Sequence, residues 1–423
     1  MDKFNTLCVQ AGYTPKNGEP RVLPLFQSTT YSYDTPEQLA QLFDLSADGH
    51  IYTRISNPTI SCFEQKVAAL EGGAAALACS SGLAAESLAV MNVCSAGDNI
   101  VSMSTIYGGS FNLFNVTLRK FGIDTKFIEP SATSAEIEAL IDKNTKILYA
   151  ETLANPAMTI CDFDKLSAIA KKHQILFMVD NTLATPYIVK PIEYGANIVI
   201  HSSTKYLDGH ASCVGGVIVD GANFNFKGNA RFNEFNVPDE SYHGLVYVDG
   251  ATPFITKARV QMMRDLGNCI SPFNAYLTNM GAETLHLRMQ RHCDNALALA
   301  QELQNHPNVE WVKYAGLKGD ENYDLAKKYF KNGCSGMVVF GVRGTREQAN
   351  QFMKNLKLFK IVTHIADVRS CVLHPATTTH RQLSSQELIA CGISETLIRL
   401  SVGIEDIEDI KKDIKQALDA IKY

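Results

Sequence analysis

The segment Ser202-Ser203-Thr204-Lys205-Tyr206 follows the apolar run 197–201, and Asp180-Asn181-Thr182 follows another, 175–179. Lysine and acid each stand just past the carboxyl end of a stretch that reads as a buried strand. Ligands of open α/β sheets collect at such positions. A lysine amine can condense with an aldehyde. A carboxylate can keep a pyridine nitrogen protonated, so that the ring accepts electrons. The pair supplies the two groups that a pyridoxal 5'-phosphate (PLP) site requires. Alone, Lys205 would read as a solvated surface charge and Asp180 as a helix cap.

Further candidates fill out the same chemistry. Ser80-Ser81-Gly82-Leu83 lies between an apolar run, 75–79, and a helical pattern through Leu88 and Val93. Free N–H groups and the helix dipole favour an anion at such a turn, although most such turns are only caps. Ser202 and Thr204 could donate to the same phosphate, or simply cap the strand end. Tyr107 could stack on a cofactor ring, against ordinary packing. Arg399 could grip a substrate carboxylate bidentately, against a plain ion pair. His374 and His380 have no acid or cysteine at ligand spacing, so they read as structural and no metal is expected. Phosphate cradle, ring stacker, pyridinium partner, aldehyde-binding lysine and carboxylate clamp are complementary parts of one site.

These residues need elements to hold them. Apolar runs at 75–79, 99–102, 125–128, 147–150 and 175–179 alternate with helical patterns at 134–140 and 163–172, and a further strand covers 213–219. The alternation predicts a mostly parallel sheet flanked by helices, an α/β fold. Asn57-Pro58 predicts a helix start, with a stop at Gly72-Gly73. The polar, aromatic segment 221–250 reads as an insertion. Helical periodicity at 271–303, strands at 311–314, 336–340 and 398–402, and an amphipathic helix at 404–423 predict a smaller α+β unit. The expected division is an arm at 1–50, a cofactor-binding domain at 51–275 and a small domain at 276–423. An irregular arm this long is functional or packs on a neighbour.

Composition narrows the class. The 423 residues are 46% hydrophobic and 20% charged, with a net charge of -5, which speaks against nucleic acid as a partner. No apolar run reaches membrane-spanning length and the start lacks a signal-peptide core. The 11 cysteines are scattered without a CxxC pair, as reduced thiols of a cytoplasmic protein are. No G-x-G-x-x-G turn is present, which disfavours a nucleotide-binding oxidoreductase.

On these residues the chain resembles the Cys/Met-metabolism PLP-dependent enzymes of the aspartate aminotransferase fold type (type I), over essentially its whole length. The matching motifs are Tyr52-Thr53-Arg54-Ile55-Ser56-Asn57-Pro58-Thr59, Ser80-Ser81-Gly82-Leu83, Tyr107-Gly108-Gly109, Glu151-Thr152-Leu153-Ala154-Asn155-Pro156, Asp180-Asn181-Thr182, Ser202-Ser203-Thr204-Lys205-Tyr206, His374-Pro375-Ala376 and Arg399-Leu400-Ser401-Val402-Gly403. The resemblance implies a seven-stranded sheet, with Lys205 as the Schiff-base lysine, Asp180 as pyridinium partner and Tyr107 on the ring. Ser81, Gly82, Leu83, Ser202 and Thr204 would hold the phosphate. Tyr52 and Arg54 would reach the cofactor phosphate of a neighbouring subunit, in a tetramer built from active dimers. Asn155 and Arg399 would bind the substrate carboxylate.

Within the family, the tyrosine motif and the segment holding Arg231-Phe232-Asn233-Glu234-Phe235 and Tyr242-His243-Gly244 are similar to one branch. That branch replaces the acetate of O-acetyl-L-homoserine with sulfide, giving homocysteine for methionine biosynthesis. Cleavage of methionine, or synthesis or cleavage of cystathionine, are alternatives on the same scaffold. The methionine γ-lyase branch usually has a cysteine where Gly109 stands. The stretch His364 to Arg369 departs from the short Ser-Leu-Gly-like stretch that many relatives have there.

Overall fold

The computed structural model describes residues 2–379, 381 and 393–423; His380 therefore lies outside the described residues. Its centre is a seven-stranded sheet of β1 (Ala75–Cys79), β2 (Asn99–Met103), β3 (Asp124–Ile128), β4 (Thr145–Glu151), β5 (Leu176–Asp180), β6 (Ile198–His201) and β7 (Gly216–Asp220), in the order β1-β7-β6-β5-β4-β2-β3. Only β7 runs against its neighbours; the other pairs are parallel. The inner strands are apolar on both faces because helices cover both. The carboxyl ends of β1, β2, β4, β5 and β6 consequently line one edge, and the registers Glu151↔Asp180 and Asp180↔Ile200 set three chain ends side by side.

A second, five-stranded sheet holds β8 (Val309–Lys313), β9 (Met337–Val342), β10 (Lys360–Ile361), β11 (Cys371–Leu373) and β12 (Leu397–Ser401), in the order β10-β11-β12-β9-β8. The short strands β10 and β11 escape the sequence patterns, being two and three residues long. The periodicity at 271–303 divides into two helices, Pro272–Glu283 and Leu285–Gln304, because Thr284 leaves helical backbone geometry. The last helix is Ile407–Asp419. It starts where the Asp406 carboxylate accepts from Glu408 N–H, and Glu405 is held back to receive Ser370 N–H at 2.6 Å.

The expected helix start at Asn57 holds: its side chain accepts from the Thr59 and Ile60 N–H groups, and the helix Pro58–Glu71 ends on Gly72 at φ 75°. The arm is more regular than its sequence suggests. It carries helices Phe4–Gln10 and Pro36–Phe43, the latter started by a capping box on Thr35 with Pro36 in its first turn.

Segment 221–250 is built into the core. Three short 3₁₀ turns bring Phe226, Phe232, Phe235 and Tyr247 into one fully buried cluster, with Phe226 and Phe235 stacked at 4.3 Å. Arg231 Nη1 donates to the carbonyls of Asp142, Lys143 and Thr145 at 2.8–2.9 Å, which fastens the segment to the amino end of β4. The aromatic plug therefore sits at the opposite end of the sheet from Asp180. Phe235→Ala is expected to cost about 3–5 kcal/mol of stability in urea unfolding, the usual loss for a buried ring, while cofactor affinity of the folded fraction stays unchanged.

Candidate active site

The acid end of the site is built on β4 and β5. Asp180 ends β5, and its Oδ1 accepts the Thr182 N–H at 2.7 Å. Burial raises its pKa, opposed by the Thr182 hydrogen bonds and by the nearby charge of His201. His201 is itself enclosed and bonded through Nε2 to Glu71 Oε1 at 2.6 Å, and Glu71 also accepts from Asn181 at 2.8 Å. Glu151 ends β4 beside Asp180. Its Oε1 accepts the Tyr107 N–H at 2.6 Å, and burial followed by the charge of Asp180 pushes its pKa well above the carboxylate range. Tyr107 is 51% exposed. Its ring lies so close to Gly109 that a Cβ there would meet Tyr107 Cε1 at 2.4 Å.

The anion cradle forms where three chain segments converge. Ser81 caps the helix Gly82–Met91, its Oγ accepting from Ala84 N–H at 3.0 Å. Gly82 is a glycine for want of space: an added Cβ would stand 2.7 Å from Ser202 Cβ. Gly216 on β7 presses on the same turn, where a Cβ would meet the Ser81 carbonyl oxygen at 2.0 Å. Leu83 follows at the exposed rim. Ser202 N–H donates to Thr182 Oγ1 at 2.8 Å, joining the ends of β5 and β6. Thr204 Oγ1 donates to the Gly215 carbonyl and accepts its N–H, both at 3.1 Å. That hydroxyl thus holds the loop that carries Lys205.

Lys205 and Arg399 form the basic end. Burial, then the charge of Arg399, lowers the pKa of Lys205. Arg399, on β12 of the second sheet, is 7% exposed; its Nη1 donates to Asn155 Oδ1 at 3.4 Å, and its Nη2 is buried without a hydrogen-bond partner. An enclosed guanidinium with one free edge suits a carboxylate. The structure thus brings Lys205, Asn155 and Arg399 to the meeting of the two sheets, and Asp180, Tyr107, Ser81, Gly82, Leu83, Ser202 and Thr204 to the carboxyl edge of the first. Tyr52 and Arg54 stand together elsewhere: the guanidinium lies 5.3 Å from the Tyr52 ring centroid and donates to the Arg264 carbonyl. Both belong to the segment bridged to the arm through Thr30 and Tyr52.

Sequence reasoning gave no role to three residues here. His364 places Nδ1 3.5 Å from Lys205 Nζ, while its Nε2 is buried and unpaired. Burial and the neighbouring Lys205 lower its pKa. It sits on the stretch that departs from many relatives, which was its only signal. Glu86 is 2% exposed and touches Asp180, with a signal in being the lone acid of an apolar helix. His201 lies inside the motif strand itself, where period-two alternation puts it on the face opposite Asp180. His374 engages Thr377 Oγ1 and the Glu395 carbonyl, both at 2.8 Å, in keeping with a structural role.

The residues present fit PLP. Among the described residues no lysine or arginine is paired with Asp180, Glu151 or Glu86, and a protonated ring nitrogen would supply a cation. The missing Cβ at Gly82 lets Ser202 close on the start of the helix Gly82–Met91, so hydroxyl and helix N–H groups converge there, and the lysine is desolvated. A family model described as Cys/Met metabolism PLP-dependent enzyme matches residues 5–419. The chain is 45% identical to the O-acetyl-L-homoserine sulfhydrylase of Leptospira meyeri, over 98% of this chain and 96% of that one. It is 43% identical to the homocysteine synthase of Schizosaccharomyces pombe, over 99% and 98%. A crystal structure described as an O-acetylhomoserine (thiol)-lyase from Campylobacter jejuni superposes with a TM-score of 0.96 at 37% identity, covering 99% of this chain and 100% of that one; it carries a pyridoxyl-lysine monophosphate at its position 205.

The close approach at Gly82 gives a direct test. Gly82→Ala should separate the helix end from Ser202, and overpacking of about 1–3 kcal/mol corresponds to roughly 5- to 150-fold weaker cofactor binding. Titration of the apoprotein with PLP, alongside circular dichroism to verify the fold, reads that loss.

Proposed function

The chain belongs to the Cys/Met metabolism PLP-dependent enzymes, and from that premise we propose that it replaces the acetate of O-acetyl-L-homoserine with sulfide to form L-homocysteine. The observation that carries the reading is the free Nη2 edge of the buried Arg399, set beside Asn155 and next to the desolvated Lys205. An amino acid held there by its carboxylate brings its α-carbon to the lysine. Relatives with 40–45% identity over nearly full length bear sulfhydrylase or homocysteine synthase names.

Bound PLP supplies an electron sink for carbanion chemistry at the amino acid. The protein supplies the rest. Lys205 takes the proton from the α-carbon, releases it, and then takes one from the β-carbon, which lets acetate leave from the γ-carbon; once hydrosulfide has added in its place, protons return to the β- and α-carbons through the same amine. Burial and Arg399 lower the proton affinity of Lys205, so more of it is the free amine at neutral pH, as a base requires. Asp180 balances the ring nitrogen. Tyr107, positioned by Glu151 on its N–H and by the gap at Gly109, covers the ring. The Gly82 and Leu83 amides, with Ser81, Ser202 and Thr204, hold the phosphate. Gly109 also supports this reading over methionine cleavage: any side chain at that position would displace the Tyr107 ring.

Tyr52 and Arg54 are assigned to the cofactor phosphate of a neighbouring subunit in a tetramer of active dimers. In support, the arm exposes Val22, Leu25, Phe26, Phe43 and Leu45, an apolar surface suited to a second copy. The same reading divides the chain at 50 and 275 and places it in the cytoplasm; no helix among the described residues is long and apolar enough to cross a membrane.

Purified protein given O-acetyl-L-homoserine and sulfide should yield homocysteine and acetate, with O-succinyl-L-homoserine slower and methionine alone giving no methanethiol. Lys205→Ala should fold and lose at least about 10²–10⁴-fold in turnover, the usual share of a positioned acid–base group. Full turnover in that variant, or methanethiol as the main product, would overturn the assignment.

A further inference from the structure

Glu86 is an acid that neither binding nor proton transfer at the substrate uses. It lies in the second turn of the helix Gly82–Met91 and is 2% exposed. Its Oε1 accepts from Ser110 Oγ at 2.8 Å, and its Oε2, also buried, receives no hydrogen from any donor group. The groups facing it are Ser110, Tyr149 and Glu151 from β4, and Asp180 from β5. Its carboxyl stands against that of Asp180 at hydrogen-bonding range. Two carboxylates in contact repel, and burial without a cation adds to the cost, so such a pair closes only when one member carries a proton.

Charge counting shows which member. Among the described residues, Glu86, Glu151 and Asp180 share this interior with the imidazole of His201, already bonded to Glu71. A protonated ring nitrogen adds one positive charge and can balance one carboxylate. Asp180 accepts the Thr182 N–H, which favours its ionised form. Glu86 faces only hydroxyl donors, Ser110 and Tyr149, and among the described residues no N–H donates to it.

We propose that Glu86 is a positioning residue that holds a proton and donates it in a hydrogen bond to the Asp180 carboxylate, so that the pair presents one negative charge to the cofactor ring nitrogen at neutral pH and two at alkaline pH. Burial, then the charge of Asp180, raises the Glu86 pKa to about 8, which places the change near that pH. The inference rests on PLP as the cofactor and not on which amino acid or sulfur donor is used.

The sign follows from linkage. A cationic ring beside the pair lowers the proton affinity of Glu86, so binding releases the Glu86 proton, and cofactor affinity rises as pH climbs towards about 8 and levels off above it. In the apoprotein the same raised pKa makes the folded state hold a proton that the unfolded chain has released. Its stability contribution is complete below the ordinary glutamate pKa, and is lost as pH climbs towards about 8.

The test is PLP binding to apoprotein at pH 7 and pH 9, for wild type and for Glu86→Gln, which keeps a neutral hydrogen-bond donor permanently in place. Titrations of the free cofactor are common to both proteins and cancel in the comparison. Wild type should gain several-fold and at most roughly tenfold more affinity over that interval than the variant, with the smaller difference between the two at pH 7. An equal pH response in both proteins overturns the proposal. Should Glu86→Gln not fold, Ser110→Ala decides instead: losing the hydroxyl donor should move the wild-type pH response upward, and an unmoved response overturns the proposal. A protein inactive towards O-acetyl-L-homoserine that still shows this difference would refute the proposed reaction and leave the inference standing.

Discussion

Charge without water is the constraint on which this site depends. At the carboxyl ends of β4 and β5 stand Glu151 and Asp180, with Glu86 against Asp180, a cluster of buried acids in which an incoming cation compensates at most one negative charge. At the meeting of the two sheets stand Lys205 and Arg399, short of anions. An uncompensated buried ion costs several kcal/mol. Each half is therefore costly alone. A cofactor with a cationic ring nitrogen, and a substrate with a carboxylate, complete the two halves together. The site is complementary in charge to its occupants before they arrive, which is what preorganisation means here.

The fold keeps these halves from neutralising one another. Asp180 lies on the sheet face covered by the helix Gly82–Met91, while His201 and Glu71 are hydrogen-bonded to each other on the other face. Arg399 arrives from a separate sheet, paired through β12 with Val339 and Leu373. The 364–370 stretch is clamped on both sides: Ala366 N–H donates to Ser401 Oγ at 2.8 Å, and Val368 N–H to the Gly209 carbonyl at 3.0 Å. Lys205 is thereby enclosed by groups more than 150 residues away in sequence, so its desolvation is a product of tertiary structure.

That separation marks what the sequence discloses and what it hides. Lys205 and Asp180 were legible because a strand is a local pattern and a ligand site lies at its carboxyl end. The turn at Gly82 was legible for the same reason, as strand, small residues and helix follow one another directly. The helix at Asn57 announced itself through its cap and its proline. The short strands β10 and β11 carried too few residues for any periodicity, and they exist because β12 offers them an edge. The aromatic 221–250 segment read as an excursion, since nothing local shows that its rings fill the amino end of the sheet. Glu86 and His364 were hidden in another way. Each is an unremarkable residue type whose meaning comes from one distant neighbour.

His364 illustrates why selectivity within such a family is harder to read than chemistry. The proposed reaction assigns its base to Lys205, and a lysine after a strand is visible in one line of sequence. What surrounds the lysine amine decides its proton affinity and the room beside it. Here that surrounding includes an imidazole whose own pKa is lowered by burial and by Lys205. A neutral imidazole can accept from the amine without adding a second positive charge next to Arg399. It therefore leaves the lowered proton affinity of Lys205 intact, where a lysine or arginine at 364 would depress it further and an acid would cancel it. The stretch that departs from many relatives thus bears on the proposed base.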